Sequence, residues 1–452
     1  MTATCRFIGT LLLSLAVFPL HAGVNFVPLV SFNGTNGATP NTLVQGTDGN
    51  FYGTTQYGGD YGKGTAFMMT TNGVLTNIVS FDGTNGTQPS GPLVKGADGN
   101  FYGTASSGGV SNMGTIFLLT TNGTLTNLLS FTGTNGDTPT SGLLLGGDGN
   151  FYGTTYAGGA YQQGAFFQMV PGAALNVLYS FDGTNGALPY DGLVLGNDGN
   201  FYGATFAGSS NSLGNIYQMT PAGSLSNLVA FSTAVYPFAG LIQGADNNFY
   251  GASRYGGGPG NDGTLFQVTP GGTFNPLVNF NQTNGSQPFA GLLQTTNGNF
   301  YGTTYAGGTN SQGALFQMGT NGSLVNLYSF SGTDGANPSS TLILGNDGWF
   351  YGTTAIGGTN GGSGTIFRFN ITPTPPPPPP VFLSIARSGG TVNFIWTAVV
   401  GQTYQVQFKS AFNQSNWNTL VTNFTAADSL VTNSDTIGPD SQRLYRVALV
   451  LP

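Results

Sequence analysis

The sequence predicts an all-β protein: a seven-bladed β-propeller closed by an N-terminal strand, followed by a small β-sandwich. Three observations predict it. The phrase Phe-Tyr-Gly returns seven times, beginning at Phe51, Phe101, Phe151, Phe201, Phe249, Phe300 and Phe350. A spacing of about 50 residues signals a stacked or radial array. The second observation is composition. All 16 acidic residues are Asp and only 6% of residues are charged, so strong helix formers are scarce while β-branched and aromatic residues abound. The third is the abundance of turn residues, with 75 glycines in 452 residues.

One copy of the repeat shows how a blade is built. Gly91 to Lys95 reads as a short first strand. Ala97-Asp98-Gly99-Asn100 follows, and Asp-Gly marks a hairpin because Gly accepts positive φ. Phe101 to Ala105 is the second strand. A Gly-rich loop, Ser106 to Gly114, leads to a third strand, Thr115 to Leu119. The turn Thr121-Asn122-Gly123 gives a fourth, Leu125 to Phe131. Four antiparallel strands in about 50 residues is one propeller blade, whereas a β-solenoid coil needs roughly half that length.

The ends of the array predict closure. The seventh copy stops after its third strand, Thr365 to Phe369. The segment Phe26 to Phe32 matches a fourth strand, as in Leu75 to Phe81. Residues 24–32 are therefore expected on the outer edge of the last blade, where Pro28 is tolerated.

The order Asp-Gly-Asn-Phe-Tyr-Gly-Thr-Thr, Gly-Gly, Gly-Thr-x-Phe, Asn-Gly and a Leu-rich strand ending Ser-Phe resembles the GloVer-type tandem repeat. The resemblance covers about residues 24–370. It implies a secreted bacterial protein on a propeller-like scaffold. It transfers no catalytic residues.

Residues 1–22 read as a secretory signal peptide: Arg6, an apolar run from Phe7 to Leu20, then His21-Ala22. The expected location is extracellular or at the cell surface. The only Cys, Cys5, and the only His, His21, fall in that segment. Cys nucleophiles, His bases, disulfides and His/Cys metal sites are thereby excluded from the expected mature chain, which also lacks a transmembrane segment. No cofactor is expected. The net charge of −7 argues against nucleic acid.

Residues 23–370 are thus read as the propeller and 371–380 as a polyproline linker. Its run Pro375 to Pro380 spans roughly 19 Å at ~3.1 Å per residue. Residues 381–452 alternate as half-buried strands, as in Val392 to Trp396 and Tyr404 to Phe408. They resemble a fibronectin-III or immunoglobulin sandwich without the disulfide.

Three sets of residues are candidate sites. The recurrent Asp of the hairpin turns (Asp48, Asp98, Asp148, Asp198, Asp246, Asp347) is expected to cap its own turn rather than hold a cation. The carboxylates outside these turns, Asp60, Asp137, Asp191, Asp262 and Asp334, lie on different blades without a repeated partner. Arg254 and Asp262 read as a surface ion pair. The third set is aromatic. Tyr57, Tyr61, Tyr156, Tyr161, Phe206, Tyr255 and Tyr305 lie in the loops after strand two. Tyr190, Tyr236, Phe238 and Phe289 lie in the connections between blades. Both kinds of loop emerge on one face, where polar-tipped rings suit recognition of a glycan or a surface protein. The expected role is non-enzymatic binding or adhesion. The alternatives are a purely structural surface protein and an Asp-dependent carbohydrate-active enzyme. Sequence leaves the oligomeric state open.

Overall fold

The computed structural model describes residues 22–450, apart from 173–174, 210–212, 232–236, 238–239, 374–378, 412 and 438–442. All but the last residue of the expected signal peptide lies outside the described residues. So do Tyr236, Phe238 and Pro375 to Pro378 of the proline run.

The chain divides into two compact units, one spanning Val24–Asn370 and one holding the residues from Ile371 onward. The first is all strand: seven antiparallel sheets of four or five strands each among the described residues. One sheet runs Leu144–Leu145, Phe151–Thr155, Ala165–Met169, Leu175–Ser180 in spatial order. In six sheets the register between the last two strands slips at the same place, as between Phe166 and Phe167. A bulge there re-aims the outer strand.

The first strand is shorter than expected. In the second sheet it is only Val94–Lys95, and Thr87–Pro89 pairs farther along the same neighbour. Pro92 has no N–H to donate. A Cβ on Gly91 would lie 2.3 Å from the Gly142 nitrogen, so the backbones of two copies touch there.

The strand Ala22–Ser31 pairs with Thr365–Pro373 at the edge of the last sheet. Thr365–Pro373 runs through Ile371 to Pro373, which sequence alone placed in the linker. Phe26 stacks on Tyr328 at 4.1 Å, and Val30 and Phe32 are buried.

Packing between sheets follows the recurring phrase. The Tyr of each Phe-Tyr-Gly meets the Phe of the next: Tyr52 and Phe101 at 4.4 Å, Tyr152 and Phe201 at 4.3 Å, Tyr250 and Phe300 at 4.2 Å. The seventh tyrosine, Tyr351, meets the first phenylalanine, Phe51, at 4.1 Å. Polar contacts repeat the link from last to first: Thr353 donates to the Pro40 carbonyl at 3.0 Å, and the Asn346 N–H donates to Gln45 at 2.9 Å. The glycine of the phrase makes room for a strand-three ring. A Cβ on Gly153 would sit 2.5 Å from Cζ of Phe167.

The second unit has two three-stranded sheets. One orders Phe382–Ser388, Thr391–Thr397, Leu430–Thr436; the other orders Asn418–Thr425, Thr403–Lys409, Leu444–Leu449. They share a core of Val392, Phe394, Trp396, Tyr404 and Val406. Among the described residues, no helix is long and apolar enough to cross a membrane.

Candidate functional site

The loop residues that gather are those immediately after strand two and those just after the proline of each connection. Tyr156 follows the strand Phe151–Thr155, and its N–H donates to the Thr138 carbonyl at 3.0 Å. Tyr305 is anchored in the same way to Gln287 at 3.0 Å, and Phe206 to Leu188 at 3.1 Å. Thr138, Leu188 and Gln287 hold φ near +55°, a region uncommon for residues with a side chain. The same backbone recurs at Thr39, Gln88 and Asn337, so this left-handed step belongs to the scaffold rather than to a site.

These anchors bring four rings into one run. Tyr156 meets Tyr190 edge-on at 5.9 Å, Tyr190 meets Phe289 at 6.4 Å, and Phe289 meets Tyr305 at 6.1 Å. The guanidinium of Arg254 lies 5.1 Å from the Tyr255 ring, 5.3 Å from Phe289 and 5.7 Å from Tyr305. Its Nε and Nη2 both donate to Oε1 of Gln287 at 3.3 Å. A cation over ring faces is attracted by their quadrupoles, so Arg254 ties together rings from separate loops.

Electrostatics extend the cluster. Burial pushes the Tyr190 hydroxyl up, the charge of Asp191 pushes it further, and Arg254 opposes; Tyr156 and Tyr57 lie within the same field. Asp191, partly open to solvent, is pushed up to about 6 by its own desolvation, against hydrogen bonds from the N–H groups of Gly192 and Gly240. Of the aromatic candidates, Tyr156, Tyr190, Tyr255 and Tyr305 are joined directly or through Arg254. Tyr57 is 45% exposed, and Phe206 is half-buried. Tyr61 and Tyr161 stand in solvent at 62% and 61% exposure.

Two residues of the cluster were not legible as members of it. Sequence paired Arg254 with Asp262, but the structure puts them in separate arrangements. Asp262 is buried and accepts hydrogen bonds from Gln282 and from Ser286 at 2.7 Å, while Arg254 faces the rings. The signal was available: Arg254 holds the position in its copy that Tyr156, Phe206 and Tyr305 hold in theirs. Asp191 was read as one of several scattered carboxylates. The others are engaged locally: Asp60 with Ser80, Asp137 with Thr138, and Asp334 with Tyr328.

The turn aspartates have a second partner. Asp98 accepts from the Asn100 N–H at 3.1 Å, as a turn cap does, and also from the Tyr102 hydroxyl at 3.0 Å. Their oxygens are thus used within each hairpin. Among the described residues, no three acidic, His or Cys side chains are grouped to hold a metal ion.

The repeat model described as Gloeobacter/Verrucomicrobia repeat matches residues 15–212 and 191–375. The chain belongs to the Gloeobacter/Verrucomicrobia repeat family.

No curated protein matches this Gloeobacter/Verrucomicrobia repeat protein in sequence. Solved structures resemble its fold. A puromycin hydrolase matches with a TM-score of 0.50 at 12% identity, over 81% of this chain and 60% of that one. A lectin from Burkholderia pseudomallei matches with a TM-score of 0.47 at 10% identity, over 73% and 99%. A gluconolactonase from Xanthomonas campestris matches with a TM-score of 0.42 at 10% identity, over 77% and 90%. At these identities the likeness is one of fold alone, an all-β, propeller-like set of small sheets.

Proposed function

We propose that this Gloeobacter/Verrucomicrobia repeat protein is a secreted or cell-surface binding protein that recognises polysaccharide through the aromatic loop face. The scaffold in this reading is a seven-bladed propeller closed by the N-terminal strand. The run of aromatic pairs from Phe51 round to Tyr351 and back supports closure. The residues beyond the proline run form a fibronectin-III-like accessory module.

One observation carries the reading: Tyr156, Tyr190, Phe289 and Tyr305, from separate loops, meet in one run beside Arg254. Flat rings with hydroxyl tips match the C–H faces and hydroxyl edges of a sugar. The purified chain, presented to a glycan array and to insoluble polysaccharides, is expected to be retained saturably and to release no products. Absence of retention on every glycan contradicts the reading.

A second reading, a carbohydrate-active enzyme, has Asp191 in its favour, because a carboxyl raised to about 6 is a competent proton donor near neutral pH. Glycoside hydrolysis ordinarily needs a second carboxylate flanking the bond. The other carboxylates outside the turns have the local partners described above. New reducing ends or unsaturated products in the same assay favour the enzyme over the binder.

A further inference from the structure

Copies of a repeat share what the scaffold requires and differ where a copy has been given a task. Two loop positions differ in step here. The residue that ends Phe-Tyr-Gly-x-x-X is Tyr156, Phe206, Arg254 and Tyr305 in copies three to six. In copies seven, one and two it is Ala355, Gln56 and Ser106. The residue after the proline of each connection is Tyr190 and Phe289 on entry to copies four and six. It is Ser90, Thr140 and Ser339 on entry to copies two, three and seven. Rings and Arg254 thus fall within copies three to six, and residues without rings fill the same positions in copies seven, one and two, with Thr140 at the border.

The small half is bonded into the scaffold. Ser106 donates to the Gln88 carbonyl at 3.1 Å, Ser90 to the Pro139 carbonyl at 3.2 Å, and Gln56 to Asn41 at 3.3 Å. At these two positions it offers no ring; Tyr57 and Tyr61 of copy one are exposed farther along their loop, outside the run of ring contacts. The large half offers a continuous run of rings from Tyr156 to Tyr305, with Asp191 and Gln287 beside it. Rings, hydroxyls, a carboxyl and an amide in one patch suit a ligand with apolar ring faces and hydroxyl edges.

We infer that this face carries a single saccharide site, lying over copies three to six, with Arg254 as the residue that positions its rings. The inference rests on the glycan-binding reading and goes further. A repeat scaffold can present one site per copy, and here the side chains build one site per chain. Arg254 acts through Tyr255, Phe289 and Tyr305 by holding them against its guanidinium, so it is a positioning residue.

The test is calorimetric titration of the full chain with gluco-, manno-, xylo- and chito-hexasaccharides, beside Arg254→Ala, Arg254→Lys and Tyr156→Ala. The expected result is one bound hexasaccharide per chain, with affinity reduced about tenfold or more in Arg254→Ala and Tyr156→Ala. Arg254→Lys is expected to recover part of the affinity, because an ammonium keeps a cation over the ring faces but cannot make the two-pronged bond to Gln287. A stoichiometry of several per chain, or affinities untouched by both alanine variants, overturns the single-site inference while the glycan-binding reading stands. Should Arg254→Ala unfold, Tyr156→Ala gives the same readout: a tenfold loss supports the inference and an unchanged affinity overturns it. No heat with any saccharide, together with capture of a protein partner by the same face, overturns both.

Discussion

Tyr152 donates its phenolic proton to Oδ2 of Asp148 at 2.8 Å. The same bond joins Tyr52 to Asp48, Tyr202 to Asp198, Tyr250 to Asp246 and Tyr351 to Asp347, at 2.7–2.9 Å. Asp and Tyr four residues apart, across a hairpin, therefore lock the inner strand to its turn. In the sixth copy Asn297 replaces the Asp, and Tyr301 donates to Gln317 at 3.3 Å instead. Tyr152→Phe is expected to cost about 0.5–1.5 kcal/mol, the net worth of one such bond, measurable by urea unfolding.

The same pairs fix a pH response at both ends. Partial burial pushes the carboxyl of Asp48 up, but hydrogen bonds from Asn50 and Tyr52 outweigh it and leave it below its usual range; Asp98 and Asp246 follow the same pattern. A depressed folded value stabilises above the unfolded value and is lost as pH falls through it, so melting temperature should drop below about pH 4. Burial, then the bond to Asp, pushes Tyr52, Tyr102, Tyr202 and Tyr250 up to about 12. That contribution is full below the unfolded value near 10 and is lost as pH rises to about 12. Melting curves across the two ranges check both signs. A flat alkaline limb would contradict the pairing.

Asp191 has the opposite sign from the turn aspartates. Its folded value is raised to about 6, so its contribution is full at acid pH and is lost as pH rises from about 4 to 6. Asp191→Asn should remove that loss and raise the melting temperature at pH 7. A lower melting temperature at pH 7 would show that the charged form is stabilised by partners.

Tyr217 stands where the other copies carry Phe, as at Phe167 and Phe266, and its buried hydroxyl has no hydrogen-bond partner among the described residues. Burial alone pushes that hydroxyl well above its usual range. Tyr217→Phe should stabilise the protein by about 1 kcal/mol, because an unsatisfied buried donor is removed without loss of ring packing. Destabilisation would mean the hydroxyl has a bound water as partner.

Phe26 ties the N-terminal strand to the last sheet, stacking on Tyr328 at 4.1 Å and lying 5.2 Å from Phe367. Phe26→Ala should cost about 2–3 kcal/mol, at the low end for a large-to-small change because the ring is only half-buried. Deleting residues 24–32 should abolish cooperative unfolding. An unchanged melting curve would contradict closure through this strand.

Much of this is legible in the sequence. The recurring phrase located the strands, because Asp-Gly turns and alternating apolar residues leave little freedom, and the unmatched Phe26 to Phe32 located the edge strand. The short first strands were not legible, since their length is set by the contact of Gly91 with Gly142 in the next copy. The bond from the recurrent Tyr hydroxyl was not legible, because a contact with Asp four residues back depends on hairpin geometry. In the candidate site, Tyr156, Tyr190 and Tyr305 were visible as aromatics on the right loops. Arg254 was missed because its nearest acid in sequence, Asp262, suggested an ion pair. Its true neighbours, Phe289 and Tyr305, lie 35 and 51 positions on.

The most direct test of a glycan-binding aromatic face is affinity electrophoresis of matched variants in gels containing each polysaccharide. Tyr190→Ala and Tyr305→Ala remove rings from the cluster, whereas Tyr61→Ala and Tyr161→Ala remove exposed rings outside it. The account predicts that at least one polysaccharide retards the wild type and the second pair, and releases the first pair. Equal retardation of all four variants, or none of any, would contradict it.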